Sequence, residues 1–514
     1  MVNDPPFFVP PTRLRVATFA VLFVLALLPV LTTTIPAMVD YPNHLARMVV
    51  LVTDGTPAAN PAYAVTWAFS PNLAMDLAVP QLARSMSVEA ATRLFLLLSQ
   101  ILTVTGACAV EGAVKRRFEA SGFFAVMMLT SVPFAWGFVN FQFGLGIALW
   151  GIAGWLVLQD RPWPLRLVLH ALVVAVLFGA HLFALGLYGV TLGLHEAWRA
   201  ATRRPPLRET GLRFAGLAAP AVVLLGLMLA FGGQVGSQGT VWNAAWKLRA
   251  FVVTLNGYHM GLSLAGTTVL AVLGYLLAKH RAVRVLQSGL WLTAGLALLF
   301  VALPTTLFDT AFVDLRVVVA AALIVPGFLA FTPPSERFAR IATGAVLCVI
   351  LVNLATALVV AQGYRTEYAA LVASFGQIDR GARVLVGHSG EGADPPLSSL
   401  SEYPIYNAPT LAVAYAQAFV PTLFTAAGKQ PITVREPYRR LAVPYGGPAP
   451  IAVLAAIANG GPALDQPAFV RNWPADFTYL YLVGPVVPNP LPRLLMPLAA
   501  GSRFTLYRIT KPAR

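Results

Sequence analysis

The amino-acid sequence predicts a polytopic α-helical membrane protein of about eleven transmembrane helices, followed by a C-terminal α/β domain. Of its 514 residues 57% are apolar and only 11% are Asp, Glu, Lys or Arg, whereas soluble proteins carry roughly a quarter charged residues. Mean hydropathy is +0.70. The apolar stretches 17–30, 216–231 and 341–361 approach or reach the roughly 20 residues that a helix needs to cross a bilayer. An ordinary cytosolic enzyme, a disordered chain and a fibrous protein are excluded. Cys108 and Cys348 both lie in apolar segments, which leaves no disulfide framework and no cysteine-based metal site.

Basic clusters and Pro/Gly breaks delimit eleven expected spans: 14–36, 88–112, 121–139, 141–158, 165–180, 181–198, 212–231, 262–279, 286–306, 316–332 and 339–361. The stretch 165–198 reads either as two short helices or as one long helix with a re-entrant piece. Alternate loops hold seventeen Lys and Arg against six on the other side. Because basic loops are retained in the cytoplasm, the N-terminus is expected inside and everything after 361 outside. The net charge of +15 is then a topology signal rather than a sign of nucleic-acid binding, and no nucleic acid is expected as a partner. The first span is expected to be retained, because residues 2–12 lack the basic flank of a cleaved signal peptide.

The division expected is a transmembrane part, 1–361, with a first outer loop at 37–87, and an outer α/β domain, 362–514. The loop carries two amphipathic segments, 43–52 and 73–86, of the kind that lies along a membrane interface. In the tail, 368–375 reads as helix and 383–386, 477–483 and 504–509 as strands. The run Gly387-His388-Ser389-Gly390-Glu391-Gly392 lacks the second glycine of a nucleophile elbow at Glu391, and a turn after a strand is preferred.

Ionisable groups near membrane depth are costly and mark sites or pairs. They gather on the outer side: Asp40, His44, Arg47, Asp76, His259, Asp309, Asp314 and Arg316, with Asn140 and His181 at a similar level. The sharpest element is Asp40-Tyr41-Pro42-Asn43-His44-Leu45-Ala46-Arg47. A helix starting near Pro42 puts His44 and Arg47 three residues apart on one face. Asp40 is then either the helix cap, a general base, or a ligand for a divalent cation such as Mg or Mn. Arg316 is either a phosphate clamp or the partner of Asp314 or Asp309 in an ion pair, with the pair slightly preferred. For Gly144, Gly146, Gly151 and Gly154 tight helix packing is the preferred reading, and for His181 a bond between helices. Trp242, Trp246, Tyr258, Lys247 and Arg249 form an outer segment that suits an interfacial anchor or a lipid-phosphate entry.

Together these features resemble the GT-C glycosyltransferases, membrane enzymes that use polyprenyl-phosphate-linked sugars. The resemblance covers the many spans, the long first outer loop with an acid at its start, and the outer C-terminal domain. Asp40 in Asp-Tyr-Pro-Asn-His-Leu-Ala-Arg is similar to the first-loop catalytic acid of that group, although the adjacent acidic pair of several of its families is missing. The resemblance implies sugar transfer at the periplasmic face of a bacterial inner membrane to a lipid or glycan acceptor of the cell envelope. Asp40 is the implied catalytic residue, and His44, Arg47, Asp76, His259, Asp314 and Arg316 are the candidate substrate contacts. Two other readings stand beside it, a transporter or flippase of lipid-linked glycans and a non-catalytic envelope assembly protein.

Overall fold

The computed structural model describes residues 12–232, 239–307, 310–390, 404–426, 428–443, 447–463 and 465–510. Helix α1 (Thr12–Leu31) leads into a connection that holds α2 (Tyr41–Thr53), strand β1 (Tyr63–Val65) and α3 (Ala74–Leu82). Then come α4 (Val88–Lys115), α5 (Ser121–Met128), α6 (Val132–Trp136), α7 (Val139–Val157), α8 (Trp163–Ala180), α9 (Leu182–Arg203) and α10 (Leu207–Phe231). The helical part closes with α11 (Ala244–Val253), α12 (Met260–Lys279), β2 (Val283–Val285), α13 (Gln287–Ala302), α14 (Val313–Ile324), β3 (Leu329–Phe331) and α15 (Glu336–Ser374). Among the described residues seven helices are long and apolar enough to cross a membrane: α1, α4, α7, α8, α10, α12 and α15. Helix α10 shows the solvent most plainly. None of its residues is buried in the protein, and Leu212, Val222, Leu229 and Phe231 are exposed, which only hydrocarbon makes tolerable.

Where the helices differ from the expected spans, backbone chemistry gives the reason. The stretch 121–139 is two short helices, because the chain turns before Pro133 and Gly137 ends α6 at φ 86°, a left-handed conformation that glycine adopts without steric cost. The stretch 165–198 is two helices, broken at His181, whose φ of −164° and ψ of 118° are extended. The span expected at 316–332 begins at Val313 and stops at Ile324, passing into the 3-10 turn Val325–Phe328, since Pro326 cannot donate the next helical bond. Helix α15 runs unbroken through 361 and takes in the expected helix as far as Ser374, Phe375 starting a 3-10 turn; its 39 residues make it roughly 58 Å long at 1.5 Å per residue.

Close helix contact depends on glycine at three places. A Cβ on Gly146 would lie 2.7 Å from the Leu102 Cβ of α4, and one on Gly144 would lie 3.1 Å from the Cβ of His181. The packing reading therefore holds there and at Gly151, whereas a Cβ on Gly154 would meet nothing within 4 Å. The first-loop helix expected at the interface is instead buried. Tyr41, Leu45, Ala46 and Met48 have no exposure, and α2 packs between α4 and the C-terminal turn Ala408–Leu411.

The C-terminal part is built on a mixed five-stranded sheet. Its strands are β4 (Val384–His388), β6 (Ala449–Pro450), β7 (Tyr479–Val483), β8 (Leu495–Ala500) and β9 (Phe504–Ile509). They lie in the order β6-β4-β7-β9-β8, with β4 parallel to β6 and β7 and the β7–β9–β8 edge antiparallel. Ser389 follows β4 directly, and its N–H donates to Val483 O; Glu391 lies outside the described residues. Strand β5 (Ile432–Val434) pairs antiparallel with β1, Tyr63 opposite Val434. This domain is therefore fastened onto the first loop, and further bonds run from Asn407 Nδ2 to Val39 O and from Phe424 N–H to Asn43 Oδ1, at 3.0 and 3.1 Å.

The charge bias makes a direct test of topology. Reporter fusions after Arg204 and Arg340 are expected to give cytoplasmic signals, and one after Tyr364 a periplasmic signal. A cytoplasmic signal at Tyr364 would remove one span and invert the C-terminal domain.

Candidate functional site

Asp40 sits immediately before α2, whose first turn contains Pro42. Its backbone takes a helical conformation and its side chain makes no capping hydrogen bond, so the capping alternative is not realised. What fixes Asp40 is the turn at 135–137. Its N–H donates to Trp136 O at 2.9 Å, and the preceding Val39 N–H donates to Ala135 O. Gly137 completes the clasp, since a Cβ there would stand 3.3 Å from Met38 Cβ and 3.5 Å from Asp40 Cβ.

One turn into α2, His44 Nε2 donates to Gly137 O at 3.0 Å. Burial, with the neighbouring Arg47 charge, pushes the imidazole down to about 3, so the ring is neutral at pH 7. With its proton on Nε2, Nδ1 is an acceptor, and it is buried without a partner among the described residues. Arg47 is held from below by Asp76 of α3 in a bidentate pair, Nε to Oδ1 at 2.7 Å and Nη2 to Oδ2 at 3.2 Å. Both side chains are nearly inaccessible, at 3% and 2% exposure.

Arg316, in the first turns of α14, does not pair with Asp314. Asp314 turns away to Lys247 at 3.4 Å and accepts the N–H of Leu315, while Asp309 lies outside the described residues. The Arg316 guanidinium instead reaches His181 Nε2 at 3.2 Å and Ala311 O at 3.3 Å, and lies over the rings of Phe138 and Phe141 at 4.4 and 5.2 Å. Asp40 is within its electrostatic reach. His181 also faces the Phe183 N–H through Nδ1. A neutral imidazole has one acceptor nitrogen, so it satisfies only one of these two donors at a time. Arg316 Nε has no partner among the described residues. A buried cation with spare donors is suited to an anionic ligand.

These groups meet in one cavity of about 270 Å³. Asp40, His44, Arg47, His181, Arg316 and Lys429 line it beside an aromatic wall of Trp136, Phe138, Phe141 and Phe424. Of the expected residues, Asp40, His44, Arg47 and Arg316 come together. Asp76 acts beneath Arg47. Asp314 and His259 do not line the cavity: Asp314 is taken by Lys247, and His259 Nδ1 caps α12 by accepting the Leu262 N–H. Lys247 is likewise committed, donating to the Phe300 and Leu303 carbonyls that end α13.

Lys429, Gln430 and Phe424 were not found from the sequence; the one available signal was that Lys429 is among only five lysines in a chain whose other basic residues are arginines. Asn72 was missed as well. At φ 69° it accepts the Leu182 N–H at the start of α9, and its carbonyl accepts from Asn140 Nδ2, so it ties α3, α7 and α9 around the cavity rim.

Among the described residues no three His, Cys, Asp or Glu side chains converge as a metal centre would require, and Asp40 is the single carboxylate lining the cavity. Protein-held divalent cations want several oxygen ligands, so this donor set suits an anion held by Arg316 and Lys429 better than a resident metal.

Fold and site together define a polytopic helical membrane protein whose C-terminal α/β domain closes over a mixed-charge cavity at one end of its helices. In overall structure the chain is similar to ArnT from Cupriavidus metallidurans in the apo state, with a TM-score of 0.49 and 13% identity over 96% of this chain and 97% of that one. It is also similar to ArnT from the same organism bound to undecaprenyl phosphate, with a TM-score of 0.47 and 13% identity over 97% of this chain and 98% of that one. No family model and no curated protein matches the chain in sequence.

Proposed function

We propose that the chain is a membrane glycosyltransferase that moves a sugar from a polyprenyl-phosphate donor to a hydroxyl of an envelope lipid or glycan. The observation that carries this reading is the cavity in which one carboxylate, Asp40, stands with the cationic side chains Arg316 and Lys429. The reaction is proposed for the periplasmic face of a bacterial inner membrane, and the charge bias of the loops supports that side.

In the proposed step the acceptor oxygen forms a bond to the anomeric carbon as the bond from that carbon to the phosphate oxygen breaks. Asp40 takes the acceptor's proton, and the departing polyprenyl phosphate keeps the electron pair. Arg316, already desolvated and short of partners, meets the charge that develops on the phosphate, where a preorganised donor is worth most; Lys429 adds a second positive charge from the C-terminal domain. The free Nδ1 of His44 accepts a hydrogen bond from a substrate hydroxyl and so orients it. The donor set does not fit a protein-held cation, and no step passes through one.

The donor half of this reading is tested with undecaprenyl phosphate itself as the probe. Arg316→Lys keeps the charge but loses the fork, so binding of undecaprenyl phosphate to the purified protein is expected to weaken by about tenfold at normal expression. Unchanged binding would leave Arg316 with only its structural contacts to His181 and Ala311.

A further inference from the structure

A second polar cavity lies at the other end of α9. From His181 to Arg199 the helix rises about 27 Å at 1.5 Å per residue, which places the two cavities near opposite faces of the membrane. The second cavity, of about 190 Å³, is lined by Glu196, Arg199, Arg203, Glu209, Arg213 and Phe214, among others. Its organiser is Glu196, 3% exposed, whose Oε1 accepts from Trp155 Nε1, Arg166 Nη2 and Arg199 Nη1 at 3.0, 3.2 and 3.1 Å. Arg213 stands 3.9 Å from its other oxygen.

Three arginines, Arg199, Arg203 and Arg213, line the cavity with two carboxylates, Glu196 and Glu209, and Arg166 pairs with Glu196 from outside it. Among the described residues Arg203 forms no ion pair. Arg213 spends its fork on Glu209, at 3.1 and 2.8 Å, but that carboxylate is 48% exposed, and an exposed pair of this kind is weak and exchangeable. The surroundings are those of a lipid headgroup region. Trp163 lies under both Arg166 and Arg213, 5.3 and 5.4 Å away, an arrangement of aromatic and basic side chains typical of membrane interfaces. Arg213 and Phe214 belong to α10, which packs on α8 and α9 but has no residue fully buried in the protein.

We infer that this cavity binds the phosphate of an anionic phospholipid from the leaflet opposite the Asp40 cavity. The three arginines against two carboxylates in one small cavity, and the sparsely covered helix α10 that forms one of its sides, suit a headgroup phosphate. Glu209 holds the place of the incoming anion on Arg213 and gives it up when the lipid binds. No residue is shared with the Asp40 cavity, so this binding stands or falls independently of the transfer reaction.

The test uses the purified full chain in detergent, offered phosphatidylglycerol or phosphatidylcholine, with retained lipid counted by native mass spectrometry. Phosphatidylglycerol is expected to be retained in preference. The double variant Arg203→Gln/Arg213→Gln is expected to weaken its retention by about tenfold. Glu209→Gln frees the Arg213 fork and is expected to strengthen retention; because Glu209 is exposed, this variant also serves where the double variant fails to fold. Millimolar inorganic phosphate is expected not to displace the lipid. Equal retention of the two lipids, or phosphatidylglycerol retention unmoved by Glu209→Gln, overturns the inference. Stabilisation by inorganic phosphate without retention of phosphatidylglycerol overturns it too, by making the ligand a soluble anion.

Discussion

Asp40→Asn is expected to reduce sugar transfer by roughly 10²–10⁴-fold, the usual contribution of a general base, in a protein that folds and melts like the parent. Asn is nearly isosteric with Asp and keeps an oxygen acceptor, and the anchoring contact at this position is the backbone N–H to Trp136 O, which the substitution does not touch. The Asp40 side chain makes no capping bond to α2, so even Asp40→Ala forfeits none of the roughly 0.5–2 kcal/mol that a true cap supplies. Both variants are expected to be inactive, and Asp40→Asn, which keeps the shape and an acceptor oxygen beside Arg316, is expected to be folded. Transfer from undecaprenyl-phosphate sugars, scored beside a thermal melt, separates the possibilities. A folded Asp40→Asn protein with full transfer activity would remove Asp40 from the chemistry.

The second large effect belongs to the buried pair beneath the cavity. Arg47→Ala is expected to destabilise the protein by roughly 3–5 kcal/mol, because it strands the Asp76 carboxylate without water or counter-charge; Asp76→Ala strands the guanidinium to similar effect. Replacing both at once, as Arg47→Met with Asp76→Leu, removes both charges and is expected to recover most of the lost stability. Melting temperatures of the two single variants and the double variant make the cycle. Parental stability in either single variant would show that the bidentate pair at 2.7 and 3.2 Å is not what holds α2 to α3. The double variant also asks what Arg47 does in the cavity it lines: recovered folding with lost transfer gives it a contact to substrate, and recovered transfer leaves it a support.

Composition and the spacing of basic clusters were enough to establish a multi-span helical chain with an α/β tail, because a lipid solvent demands long apolar helices and leaves that demand written locally along the sequence. The run Asp40 to Arg47 was legible for a similar reason. Its proline, its acid and its three-residue spacing are all properties of one helical turn. Strands β4, β7 and β9 likewise declared themselves as short apolar runs, whereas β1 and β5, three residues each, carry no period long enough to read.

Partnership was not written locally. Asp314 and Arg316 are near neighbours in sequence, yet residues two apart on a helix point to different sides, and each found its contact elsewhere, Asp314 with Lys247 and Arg316 with His181, 135 residues away. Asp76 reached Arg47 only because α3 folds back under α2, and Lys429 entered the cavity only because β5 pairs with β1. Local residues alone settle which segments must leave water and which charges are too costly to be idle; packing between distant segments selects which of those charges meet. Helix formation and membrane insertion are set by each segment's own residues and its solvent, while an ion pair or a cavity wall exists only where distant segments are packed against each other.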